Sequence, residues 1–192
     1  MNLEQTAAPT VEPVATSVMK DWMRVDASDE DTLIGSLAAA ARSYFEMSTR
    51  RQLISATWGY KITDFPSGEI VLPISPVQNV THIKYYDNDD SLQTWTASDY
   101  VLDKSSTPAR IRPAANKDYP SDNRGEPYDI AITFVAGYGD AASDCPDGAL
   151  TAIKLLAANC FENRESNAPI TLTPVPMALD ALMLQFWDGT VT

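Results

Sequence analysis

The chain has 192 residues, 44% of them hydrophobic and 21% charged, which excludes wholesale disorder and suits one domain, or one domain with long arms. Acidic residues outnumber basic ones 26 to 14, for a formal charge of −12. Phosphate affinity rests on clustered Lys and Arg, so the balance argues against a nucleic-acid binder and against adhesion to an anionic membrane. No apolar run approaches the ~20 residues of a membrane helix. The first twenty residues lack the basic start and apolar centre of a secretory signal. Cys145 and Cys160 are fifteen residues apart. In a helix that spacing is ~22 Å, against a disulfide limit of ~7 Å, so both are read as free thiols of a reducing compartment.

Residues 1–12 are polar, contain Pro9 and show no period, which reads as a flexible arm. A short helix over 16–24 follows, with Val18, Trp22 and Val25 on one face. Ser28-Asp29-Glu30-Asp31 offers a capping hydroxyl and three carboxylates at the positive end of a longer helix. Behind it Leu33, Ile34, Leu37, Ala38, Ala41, Tyr44, Phe45 and Ser48 recur at helical spacing, so this helix spans 29–49. From Leu53 the period becomes that of strands. They are expected over 53–62, 69–72, 80–86, 92–96, 100–102, 109–111 and 128–136, with a turn at Asp87–Asp90 and a polar loop from Arg112 to Pro127. A helix over 146–164 opens at Pro146 with Asp144 as its cap, and Leu150, Ile153, Leu156, Ala157, Cys160 and Phe161 form its stripe. Residues 166–192 read as a Pro-punctuated tail that ends in an amphipathic helix over 177–187. Helices at the two ends with antiparallel strands between them indicate α+β. The terminal helices pack together, and a β-hairpin-rich insertion separates them in sequence.

No catalytic, cofactor-binding or metal-binding residue emerges. His82 is the one histidine, inside an alternating run that reads as a strand, with no Asp or Ser at a spacing that would make it a base. Gly137-Tyr138-Gly139-Asp140-Ala141-Ala142 matches the G-x-G-x-x-A pattern. The next helix opens too late to aim its dipole at a pyrophosphate, so a turn is the better reading. Asp87-Asn88-Asp89-Asp90-Ser91 starts like a calcium loop, but Leu92 stands where Gly is needed and Ser98 where a bidentate Glu is needed. Two other classes stay open from the residues alone. One is a small soluble hydrolase with paired carboxylates, the other a monomeric binding module on a β-sheet.

The order of the elements adds a resemblance. Ala39-Ala40-Ala41-Arg42-Ser43-Tyr44-Phe45-Glu46, Leu53-Ile54-Ser55-Ala56-Thr57-Trp58 and Leu72-Pro73-Ile74-Ser75-Pro76-Val77-Gln78-Asn79-Val80 are followed by Asp99-Tyr100-Val101-Leu102 with Pro108-Ala109-Arg110-Ile111. Then come Phe134-Val135-Ala136-Gly137-Tyr138-Gly139 and a helix ending Phe161-Glu162-Asn163-Arg164-Glu165. This succession, over residues 13–165, resembles the head–tail connector (adaptor, or head-completion) family of tailed bacteriophages. Cys160-Phe161 departs from the aromatic pair common at that place, and the usual basic residue near Trp22 is missing.

The resemblance implies a non-enzymatic virion protein without cofactor. It would form a ring, usually of twelve copies, between the portal protein and a stopper or tail-completion protein, resident in the bacterial cytoplasm before assembly. DNA would pass through the ring without sequence-specific binding, and a net −12 per subunit suits a conduit that must not grip phosphates. In the last segment Leu179, Leu182, Met183, Phe186 and Trp187 share one helical face at i, i+3, i+4, i+7 and i+8. That face either folds back on its own core or fills a partner's groove. Connectors of this family use their C-terminal ends to embrace the portal, so these five residues are the expected portal contact, with Pro169, Pro174 and Pro176 supplying reach.

Overall fold

The computed structural model describes residues 2–163 and 177–187, apart from the side chains of Met177 and Ala178. The expected helix end at Arg164 and the Pro169–Pro176 spacer lie outside the described residues. The chain divides into two compact units, 1–9 with 55–138 and 10–54 with 139–192, where one domain over 13–165 was expected.

The first unit is all β. Strands β1 (Asn2–Ala7), β2 (Ala56–Ile62), β4 (Val77–Tyr86), β5 (Leu92–Trp95) and β8 (Ile130–Ala136) form an antiparallel sheet in the order β1-β2-β8-β4-β5. A second sheet has the order β3-β7-β6, from β3 (Ile70–Val71), β7 (Arg110–Pro113) and β6 (Tyr100–Asp103). Alternate residues of β8 show why the sequence makes this sheet: Ile130, Ile132, Phe134 and Ala136 are all buried and the residues between them are not. With Tyr60, Ile83, Ile111 and Leu72 they form one core, which Trp95, Tyr85 and Phe65 extend as edge-to-face rings. Tyr119 stacks on Phe65 and donates its hydroxyl to the carbonyl of Gly68 at 2.7 Å, so the long loop is held on this core.

The N-terminal arm is not loose. Asn2–Ala7 pairs with β2 in the register Leu3↔Tyr60 and Gln5↔Trp58. The Thr6 hydroxyl donates to the Thr57 carbonyl. Leu3 is the one apolar side chain that this strand packs on the core, so its sequence carries almost no alternation to read. Pairing with β2 makes it a strand.

The second unit gathers helices from the N-terminal and C-terminal parts of the chain: α1 (Thr16–Met23), α2 (Asp31–Thr49), α3 (Asp147–Glu162) and α4 (Met177–Leu184). The α2 and α3 helices form the central pair, and α1 and α4 each pack on both. Two expected caps are absent. No side chain caps α2, which starts two residues later than Ser28-Asp29 suggested, or α3. The Asp144 carboxylate instead accepts the Ala141 N–H at 3.0 Å. Small residues bring the central pair together: Ala38 and Ala41 of α2 and Ala149, Ala152 and Ala157 of α3 are buried. In α1 the buried side chain is Met19, and Val18 and Trp22, expected to share one apolar face, are both exposed.

Glu46 ties α2 to the segment that follows it. Its carboxylate accepts from Arg42 Nη1 at 2.8 Å, Gln52 Nε2 at 2.8 Å and the Leu53 N–H at 3.0 Å. Burial nevertheless pushes its pKa up, against the pull of those donors. A pKa raised in the folded state makes stability decline as pH rises through it.

Candidate functional site

None of the sequence motifs assembles into chemistry. His82 is opposite Thr133 in the sheet, and its pKa is lowered by burial and then by Lys84. A register shift between Val80 and His82 puts Val80 against the core, so the simple alternation expected through this strand is broken by a bulge. After β8, Gly137 has φ 143°, and its N–H donates to the Pro76 carbonyl at 2.9 Å. Gly139 has no room for a Cβ beside the Asp144 carboxylate. An anion-binding loop would need that space empty, so the turn reading stands. Cys145 is buried and Cys160 exposed, both free. Burial, then Asp144 and Glu46, pushes the Cys145 thiol up to about 11, far from a reactive thiolate.

The Asp87 carboxylate is consumed within its own turn. It accepts the N–H groups of Asp89 at 3.0 Å and Ser91 at 2.9 Å on one oxygen and Gln93 Nε2 on the other. The Gln93 bond first, then that of Ser91, holds its pKa below the carboxylate range. The long loop returns to clamp this tip. Arg124 bonds both oxygens of Asp129, at 3.0 and 2.7 Å, reaches Asp90, and lies over the Tyr86 ring at 5.1 Å. Among the described residues no group of three or more His, Cys, Asp or Glu could hold a metal.

The hairpin tip is thus a braced structure, and its carboxylates set an acid limit. Asp129 is nearly buried, and Arg124 holds its pKa down. A depressed folded pKa gives stability that is present above the unfolded value, ~3.9, and is lost as pH falls through the folded one. The melting temperature is therefore expected to drop on acidification below about pH 4. Asp129→Asn should flatten that limb, and Arg124→Ala should lower melting at pH 7 more than Asp90→Ser does. Calorimetry from pH 2 to 7 checks all three.

The remaining candidate is the last helix. Its five expected contact residues do not form a free face. Leu179 is buried, Leu182, Met183 and Phe186 are half-buried, and only Trp187 is exposed. Phe186 meets Phe45 edge-on at 5.3 Å, and Arg51 Nε donates to the Phe186 carbonyl at 3.0 Å. A Cβ on Gly148 would sit 3.4 Å from the Phe186 ring and 3.9 Å from Leu182, so α3 presents a seat for both. The helix ends at Leu184 with Phe186 in a turn behind it, whereas the expected helix ran to Trp187. Besides Trp187, this docking leaves outside residues that the sequence did not single out as a surface: Tyr44 and Met47 on α2 and Leu184 at the end of α4. Tyr44, Leu184 and Trp187 border a groove of about 390 Å³. One signal was present, since Tyr44 and Met47 widen the apolar arc of α2 beyond what one neighbour covers.

No protein-family model matches the chain, and no curated protein does. Solved structures do match. Its fold follows a chain in the neck of an empty gene transfer agent particle, determined with C6 symmetry, at TM-score 0.84 and 26% identity, over 100% of this chain and 98% of that one. A chain in the virion of the native gene transfer agent particle matches equally, at TM-score 0.84 and 25% identity with the same coverage. The chain has the fold of a particle neck protein. A third neck structure, of the native particle with C12 symmetry, shares the fold at TM-score 0.80 and 24% identity. This neck fold agrees with the head–tail connector family that the sequence blocks resemble, and it spans both compact units.

Proposed function

We propose that this chain is a structural virion subunit that assembles as a ring, of twelve copies, between the portal vertex of a capsid and its stopper or tail, extending the DNA channel. The observation that carries the reading is the full-length likeness to chains of particle necks. The C6 and C12 symmetries of those necks support the ring. The role needs no reaction and no cofactor, and the host cytoplasm would hold the subunit before assembly. Portal engagement by Leu179, Leu182, Met183, Phe186 and Trp187 would require α4 to leave its seat on Phe45, and the reading does not use it.

The test is to mix the purified chain with portal rings from the same genome and weigh the complex by native mass spectrometry. One ring of twelve subunits per portal is expected, and no association at micromolar concentrations would sink the reading. Duplex DNA offered to the free chain in ~0.15 M salt should not bind measurably, since −12 of charge leaves few phosphates to be neutralised. Sub-micromolar affinity with a steep salt slope would remove the conduit role.

A further inference from the structure

A ring needs two different, complementary surfaces on each copy, because a self-complementary patch closes into a dimer. The helical unit carries two such apolar surfaces. On α1, Val18 and Trp22 lie one turn apart and are both exposed, while Met19 between them is buried. On α2, on α4 and just behind α4, Tyr44, Leu184 and Trp187 border the groove of about 390 Å³, and Met47 is exposed about one turn along α2 from Tyr44. All six side chains are between 45% and 71% exposed. Singly exposed apolar residues are ordinary, whereas clusters with two Trp and one Tyr have the composition of interface centres.

The two surfaces face different regions of the same unit. The α1 helix meets α2 near Gly35, where a Cβ would sit 3.3 Å from the Thr16 hydroxyl, and meets α3 at Lys154. The α4 helix meets α2 at Phe45 and α3 at Gly148. Ten residues of α2 separate Gly35 from Phe45, or ~15 Å. One surface therefore lies toward each end of the α2–α3 pair, and neither covers the other.

Charge gives the pairing a sense. Lys154 Nζ sits 5.1 Å from the centre of the Trp22 ring, and Asp180 lines the groove. Among the described residues neither takes part in an ion pair. In a chain of net charge −12, two copies repel one another unless the contact is apolar at its centre and opposite in sign at its rim. Pockets of ~300–1,000 Å³ hold drug-sized molecules, so this groove is large enough for an indole side chain.

We infer that the occupant of the groove is a second copy of this chain: Val18 and Trp22 of one subunit seat among Tyr44, Leu184 and Trp187 of the next, with Lys154 and Asp180 paired across the rim. The inference rests on the ring reading above and assigns its subunit contact. Ser17 and Ser48 are exposed beside the two surfaces, and Cys160 is the exposed thiol. In a full-length Cys160→Ser background, Ser17→Cys with Ser48→Cys should give a ladder of covalent multimers with a short bismaleimide. Each single variant should stay monomeric, and an equal mixture of the two should stop at the dimer. Trp22→Arg should cut the ladder at least tenfold, and Lys154→Asp should weaken it until Asp180→Lys is added. The reactions are run on the chain alone and on the chain bound to portal rings. Dimers from a single variant, or a ladder indifferent to Trp22→Arg, would overturn the assignment. Twelve-fold binding to the portal without any Ser17–Ser48 cross-link removes this contact and leaves the ring standing. A chain that neither binds the portal nor cross-links removes both.

Discussion

Phe45→Ala is expected to lower stability by about 3–5 kcal/mol, the usual cost of deleting a fully buried phenyl group and leaving a cavity. Phe45 is 1% exposed, among the largest fully buried side chains of the protein. It also supplies the ring against which Phe186 packs edge-on. The loss should therefore be felt twice, in the central α2–α3 pair and in the seating of α4. Near Trp187 the helix end is further held by Arg51 on the Phe186 carbonyl, one bond that cannot replace the ring contact. Thermal unfolding followed by far-ultraviolet circular dichroism and by tryptophan fluorescence checks this. A cooperative transition at the wild-type temperature would show that the Phe45 contact is dispensable.

Removal of residues 177–192 is expected to destabilise the protein on a similar scale. Leu179 is 2% exposed, and truncating a buried Leu alone costs about 2–5 kcal/mol. The deletion also uncovers Phe45 and the surface around Gly148. The truncated chain should aggregate or melt without cooperativity, the opposite of what a tethered portal-binding helix predicts. Sedimentation velocity and a melting curve decide it. A soluble, monomeric truncation that melts sharply would return α4 to the role of a detachable arm.

Much of the fold was legible because it rests on long periodic segments. The α2 stripe through Ile34, Ala38, Ala41 and Phe45 and the alternation of Ile130, Ile132 and Phe134 each identify both an element and its buried face. The α+β class followed, and so did the association of the helices from both ends of the chain. The turn readings at Asp87 and Gly139 also survived, because each was argued from a missing requirement, and the structure fills both places with protein hydrogen bonds. Local patterns failed where a pattern admits two answers. In α1, Val18 with Trp22 and Met19 with Thr16 describe competing faces, and hydrophobicity alone favours the first. In β4 the register shift between Val80 and His82, the second of two against β8, reverses the side on which residues fall.

The candidate site was the least legible part, for a physical reason. An amphipathic helix states that a face will be covered and does not state by what. The face of Leu179, Leu182, Met183, Phe186 and Trp187 fits a foreign groove or the chain's own α2–α3 seat equally well on its sequence. Gly148 and Phe45, distant in the chain and brought together only by folding, supply the seat. What the amino-acid sequence by itself determined is the set of elements, the acidic surface and the order of blocks that resembles a connector. What only the tertiary structure decided is which apolar faces are spent inside, Met19, Leu179 and Phe186, and which stay outside, Trp22, Tyr44 and Trp187. Burial depends on contacts between residues far apart in the chain, and periodicity reports only on neighbours.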